Sequence, residues 1–198
     1  MKKVTGLLLA LMLLHTITFS QDEEYIQHPT LGIHFFFNDF KSASLIRSTS
    51  LGSVISNKQF GKVKDMSPGL AINYLCGLSQ TFDFSTTLAG SFIEYQRQDG
   101  TKFGSDNLLL EGDVSVRAKM FSNKYFVSPY VQIGGGISKY KGYWAAIIPA
   151  GAGLQLNLFD EAYLLLNAQY RIPITDQANY HFFYSIGLAG NIGKRKVK

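Results

Sequence analysis

Between Asn107 and Phe121 the sequence alternates without a break. Leu108, Leu110, Gly112, Val114, Val116, Ala118 and Met120 share one parity; Leu109, Glu111, Asp113, Ser115, Arg117, Lys119 and Phe121 share the other. A period of two marks an extended strand with two unlike faces, one apolar and one largely charged. In a water-soluble sheet the apolar face turns inward. Here the run, at roughly 14 residues, is longer than most soluble strands, and it lies downstream of an export signal. Together these point to inverted faces, with the apolar side on lipid and the charged side lining a closed barrel.

The export signal occupies residues 1–20. Lys2 and Lys3 give a positive start, Leu7–Leu14 an apolar run, and Thr18 and Ser20 small residues before Gln21. The run is shorter than the roughly 20 residues a spanning helix needs, and no later run reaches that length. The exported chain of about 178 residues suits one domain. Its single cysteine, Cys76, cannot form an internal disulfide and reads as a small hydrophobe. The formal charge of +5 falls to +3 without the two leader lysines, too mild and scattered for a nucleic-acid partner. With 15 Phe, 11 Tyr, 19 Gly and only 5 Pro, the composition favours strands.

Eight strand-like segments follow: Thr30–Asp39, Ser67–Cys76, Thr81–Gln96, Asn107–Phe121, Tyr125–Lys139, Ala146–Leu158, Ala162–Pro173 and Tyr180–Gly193. Gly77–Gln80, Ser122–Lys124 and Phe159–Glu161 read as tight turns, whereas Phe40–Met66, Arg97–Asp106, Tyr140–Ala145 and Ile174–Asn179 read as longer loops. Short and long connections at opposite ends are what a transmembrane barrel shows, with the short turns and both termini in the periplasm. The domain plan is thus a leader at 1–20, a periplasmic segment at 21–29, a barrel at 30–193 and a basic periplasmic tail at 194–198. The last strand does not end the chain on an aromatic residue, which hints at descent from a barrel with a further periplasmic domain.

Aromatics of the outward parity gather near the strand ends. Phe82 and Phe84 lie toward the short turns; Phe35, Phe37, Phe92, Tyr170, Phe182 and Tyr184 lie toward the loops, with Tyr143 and Trp144 in a loop beside them. This is the distribution of two girdles at headgroup depth. Gly134, Gly135, Gly136, Gly151 and Gly153 relieve crowding or allow bending in a narrow barrel. They do not cradle phosphate, since no helix start follows.

The inward parity carries Asp83, Glu111, Asp113, Arg117, Lys119 and Arg171. Buried charges of both signs must pair or stay hydrated, and eight strands enclose little more than side-chain volume. A salt-bridged plug is therefore expected, with Arg117→Ala destabilising it; a gated conduction path is the alternative. Val116→Arg, on the lipid side, is expected to damage insertion more than Ser115→Arg. His181 and Asp176 near the loop end raise loop-end catalysis, but no serine sits in a glycine elbow and no His spacing suits a metal. No catalytic residue, cofactor or metal ligand is assigned. The Phe40–Met66 stretch, with Leu45, Ile46, Leu51, Val54, Ile55 and Phe60, is too apolar for a free tail and reads as a partly ordered flap or strand extension that contacts an extracellular partner.

Strand count, turn alternation and the ending Leu188-Ala189-Gly190-Asn191-Ile192-Gly193 before a basic segment make the chain resemble small Gram-negative outer-membrane barrels, specifically the amino-terminal barrel of outer membrane protein A and its relatives. The resemblance implies an all-β, eight-stranded antiparallel up-and-down barrel with a polar lumen. It also implies a structural, weakly porin-like or adhesive role among outer-membrane lipid and lipopolysaccharide. The family's peptidoglycan-binding domain is not carried over. Two other classes stay open: a soluble exported barrel with an apolar ligand inside, separable by detergent partitioning, and an outer-membrane lipid-modifying enzyme, separable by changing His181.

Overall fold

A computed structural model describes residues 25–92, 108–158 and 161–192. The expected leader, the strand end at 93–96, the loop at 97–106, Asn107, Phe159, Gly193 and the basic tail lie outside the described residues.

Alternation produces what it should. The strands are β1 (Thr30–Asp39), β2 (Ser67–Gly77), β3 (Phe82–Phe92), β4 (Leu108–Lys119), β5 (Val127–Tyr140), β6 (Tyr143–Leu158), β7 (Ala162–Pro173) and β8 (His181–Asn191). Each pairs antiparallel with its sequence neighbours, and β1 closes on β8, so the sheet is a closed up-and-down barrel. Closure leaves no strand edge unpaired, which matters wherever water cannot solvate backbone amides. An 11-residue strand such as β3, at about 3.3 Å per residue and a tilt near 40°, rises roughly 28 Å. That matches a hydrocarbon core of about 30 Å.

The faces are inverted relative to a soluble sheet. Ile33, Leu70, Leu88, Val131, Ile133 and Leu188 are at least 60% exposed, while Glu111, Asp113 and Arg117 are at most 3% exposed. The outward Thr86 hydroxyl is satisfied by donating to the Asp113 carbonyl at 3.0 Å. The lumen is not uniformly polar, however. Phe36 and Phe183 stack inside at 4.5 Å, packed with Ala71 and Ala89. Leu75, Tyr163, Leu165 and Ala189 form a second apolar cluster. An eight-stranded barrel is narrow enough for inward side chains to exclude water from one another, so apolar residues are stable there.

Two connections depart from the sequence reading. The expected loop at Tyr140–Ala145 is a tight hairpin, with β5 running through Tyr140 and β6 starting at Tyr143. Lys141 and Gly142 both have positive φ, 49° and 87°, the geometry that a two-residue turn of mirror-image type requires. Tyr143 and Trp144 are consequently strand residues. The Phe40–Met66 flap holds helices α1 (Phe40–Ser48) and α2 (Leu51–Ser56), not a strand extension. Asp39 caps α1 by accepting from the Ser42 amide at 2.8 Å, and the Ser50 hydroxyl accepts from the Ser53 amide to cap α2.

Candidate functional site: the lumen and its two ends

The inward side chains stack in levels. At the short-turn end, the segment before β1 folds under the barrel. Gln27, 2% exposed, donates from its amide nitrogen to the Thr30 hydroxyl at 2.7 Å. Its carbonyl oxygen accepts from Asn123 at 2.9 Å and Gln155 at 3.1 Å. Asn123 reaches this amide knot because the β4–β5 connection turns it inward, and there it also accepts from Lys119 at 2.8 Å.

Directly inside lies the Asp83–Lys119 ion pair at 3.0 Å, both side chains fully buried. Toward the middle, Arg117 donates from Nε to the Gln132 amide oxygen at 3.1 Å and sets its guanidinium 4.7 Å from the Tyr130 ring centroid. Near the loop end Arg171 binds two carboxylates at once, Glu111 through Nη1 and Asp113 through Nη2, the latter at 2.9 Å. Its guanidinium also lies 4.0 Å from the Phe183 ring centroid. His181 Nε2 is 3.3 Å from Glu111, and its ring packs on Phe40 of α1 at 4.4 Å.

Of the six sequence-assigned lumen residues, five are thus in ion pairs: Asp83 with Lys119, and Arg171 with Glu111 and Asp113. Arg117 differs from expectation. Among the described residues it has no carboxylate partner within ion-pair distance and is held by an amide and a ring instead. Three acids face three bases, so the six charges sum to zero. Neutrality matters because an unmatched ion costs several kcal/mol in a desolvated site.

Sequence reasoning passed over Gln27 and Asn123, since a neutral amide in a turn or just before a strand gives no signal of pointing inward; Gln155, within β6, has a legible inward parity but no charge to mark it as part of a knot. It also passed over Phe36 and Phe183, whose inward parity was legible but whose type suggested lipid. Glycine supplies room for these large groups. A Cβ on Gly153 would come within 2.4 Å of the Tyr130 ring, and one on Gly187 within 2.4 Å of the His34 ring. Small residues thus stand opposite large ones, as filling a narrow barrel demands.

The sequence-assigned girdle residues all lie outward. Phe35, Phe82 and Phe92 are 45%, 44% and 73% exposed. Tyr170, Phe182 and Tyr184 stack along β7 and β8 with centroids 4.9 and 5.8 Å apart. Phe84 faces Val116 across the β3–β4 pair, and Phe37 packs edge-on against Phe35 at 5.0 Å. At the short-turn end Phe121, Tyr125 and Phe126 are exposed as well.

At the loop end the flap is tied down. The Ser42 hydroxyl accepts from the Gly61 amide at 3.0 Å, and Lys41 bonds Asp65 at 2.9 Å. That bond holds the Asp65 carboxyl below the usual carboxylate range. No group of His, Cys, Asp and Glu suited to a metal occurs among the described residues.

No protein-family model and no curated sequence matches the chain. Solved structures do. The outer membrane protein OprG of Pseudomonas aeruginosa superposes with a TM-score of 0.57 at 10% identity, over 85% of this chain and 98% of that one. Ail, the attachment invasion locus protein of Yersinia pestis, gives 0.49 at 13% identity, over 83% and 98%. The N-terminal barrel of Pseudomonas aeruginosa OprF gives 0.48 at 9%, over 81% and 96%. The OprG match and the closed strand order give this chain its fold, an all-β, eight-stranded antiparallel up-and-down barrel.

Proposed function

We propose that the protein works in the outer membrane as a structural, surface-interacting barrel whose lumen is closed by side chains, and not as an enzyme or an open pore. The observation that carries this reading is the burial of a balanced charge set inside a wall whose outer face is apolar. Arg171, Glu111, Asp113, Asp83 and Lys119 are sealed between the Gln27–Asn123–Gln155 knot at one end and Phe40 of α1 at the other. A wall apolar on its outside belongs in lipid, and a desolvated, paired interior offers ions no hydrated path.

The described chain begins and ends on the side of the short turns, where Gln27 meets Gly77 and Ile192 meets Pro29; this reading places that side, and with it both termini, in the periplasm. The capped flap of residues 40–66 then faces outward, where it meets an extracellular partner, lipid or lipopolysaccharide. Planar-bilayer recording tests the closed lumen. Small or no conductance is expected from the unmodified protein, and large steady currents would replace the plug with a channel. Detergent partitioning tests the faces, since a soluble ligand-binding barrel would stay in the aqueous phase.

A further inference from the structure

The outer wall is not uniform. Where β6, β7, β8 and β1 pass, it holds an apolar depression of about 360 Å³. Its floor is narrow-waisted because Ala152 and Ala168 face each other across the β6–β7 pair, amid larger neighbours such as Leu154 and Leu166. Phe37 and Tyr184 wall one side. The Tyr184 hydroxyl is buried without a hydrogen-bond partner among the described residues.

Above the depression the aromatic stack continues upward into the flap. Tyr184 meets Phe182, Phe182 meets Tyr170, and Tyr170 meets Tyr180 at 5.9 Å. The guanidinium of Arg47 on α1 lies 3.5 Å from the Tyr180 ring centroid. From the other side Phe60 packs edge-on against Phe182 at 5.7 Å, which brings the segment bearing Lys58 and Lys62 over the same stretch of wall. Those lysines are exposed, as is Arg47. The flap's one acid, Asp65, is engaged with Lys41, and Asp39 at the end of β1 is taken up as the α1 cap. Asp176 lies in the neighbouring 174–180 loop.

From this arrangement we infer that the flap and the wall beneath it form one seat for a phosphorylated lipid of the outer leaflet. An acyl chain occupies the Ala152–Ala168 depression, and Arg47, Lys58 and Lys62 take the phosphate. Charge complementarity selects the occupant: a surface apolar below and cationic above fits an anionic amphiphile, with attraction confined to the headgroup layer. The inference rests on the lipid-facing reading of the wall.

The full chain is reconstituted into phosphatidylcholine vesicles carrying a minor fraction of lipid A, either phosphorylated or dephosphorylated. It is then extracted in mild detergent, and retained lipid is counted by native mass spectrometry, with folding checked by circular dichroism. The unmodified protein is expected to retain the phosphorylated form over the other, with about fivefold preference lost for each basic residue removed. Replacing Arg47, Lys58 and Lys62 together by Ala should bring the two forms level. Ala168→Phe, which fills the depression, should lower retention of both, whereas Leu88→Phe on another stretch of wall should leave it unchanged; Ala152→Phe replaces Ala168→Phe if the latter does not fold. Equal retention of the two lipids by the unmodified protein overturns the proposal, and so does undiminished retention by the filled variant. A dimer that Ala168→Phe dissolves would assign the surface to a second copy and overturn it as well. Failure of the unmodified protein to insert into phosphatidylcholine at all would instead overturn the lipid-facing reading itself.

Discussion

At the residue scale, the lumen charges are unequal in their work. Arg171 neutralises two carboxylates, so Arg171→Ala leaves buried Asp113 without its cation and Glu111 with only His181 beside it. Breaking a buried pair from one side costs about 3–5 kcal/mol. Arg117→Ala removes a guanidinium that has no direct carboxylate partner among the described residues, so the smaller loss is expected there. Equilibrium unfolding of the two variants in the same lipid checks the order, and a larger loss for Arg117→Ala would show that the central arginine organises the set. The paired substitution test of the faces also needs different residues. Val116 stands level with Phe84 of the short-turn girdle, whereas Val114 faces Thr86 and Gly135, nearer mid-strand. Val114→Arg should cost about 2–4 kcal/mol at the bilayer midplane. Ser115→Arg is no mild control: Ser115 is 2% exposed in a filled interior, so an arginine there must displace packed neighbours. Lys139→Arg, of the same outward parity but near the loop-end rim, is the control for depth on that face, and its folding efficiency into vesicles should match the unmodified chain.

At the scale of elements, β5 and β6 show how a large interior group is accommodated by an absent one. Gly153→Leu would drive its side chain into the Tyr130 ring and the Leu166 carbonyl, and overpacking of this kind costs about 1–3 kcal/mol. Tyr130→Ala in the same chain should recover part of that loss, a coupling a double-mutant cycle measures; additive losses would mean the clash is with backbone alone. The flap responds to pH through Lys41–Asp65. Because the Asp65 carboxyl is held low by its bond to Lys41, the tie is complete above the ordinary carboxylate range. It is lost as pH falls through the depressed value. Proteolytic nicking of the flap should therefore stay constant through neutral and mildly acidic pH and rise only under strong acid, and Asp65→Asn should abolish that rise.

At the scale of the whole molecule, orientation is the property to test. Cysteine placed at Lys58 in the flap should react with an impermeant maleimide on intact cells, whereas cysteine at Lys124, in the β4–β5 connection, should react only after the outer membrane is opened. The chain's own Cys76 is replaced by Ala for this purpose. The reverse pattern would turn the barrel over and put the basic flap in the periplasm, removing any role at the cell surface.

The sequence by itself determined the strands, their parity and the inverted faces, because alternation is a local property and each strand obeys it whatever its partner. It located the charged lumen residues and the outward aromatics for the same reason. It did not distinguish a loop from a hairpin at Lys141-Gly142, since only the paired β5 and β6 make positive φ at a lysine worthwhile. Nor did it reveal that Arg171, not Arg117, binds the carboxylates, or that Gln27 closes one end. Those facts depend on which inward residues of different strands stand at one height. Closure and stagger of the barrel set that height, and both are properties of the assembled sheet.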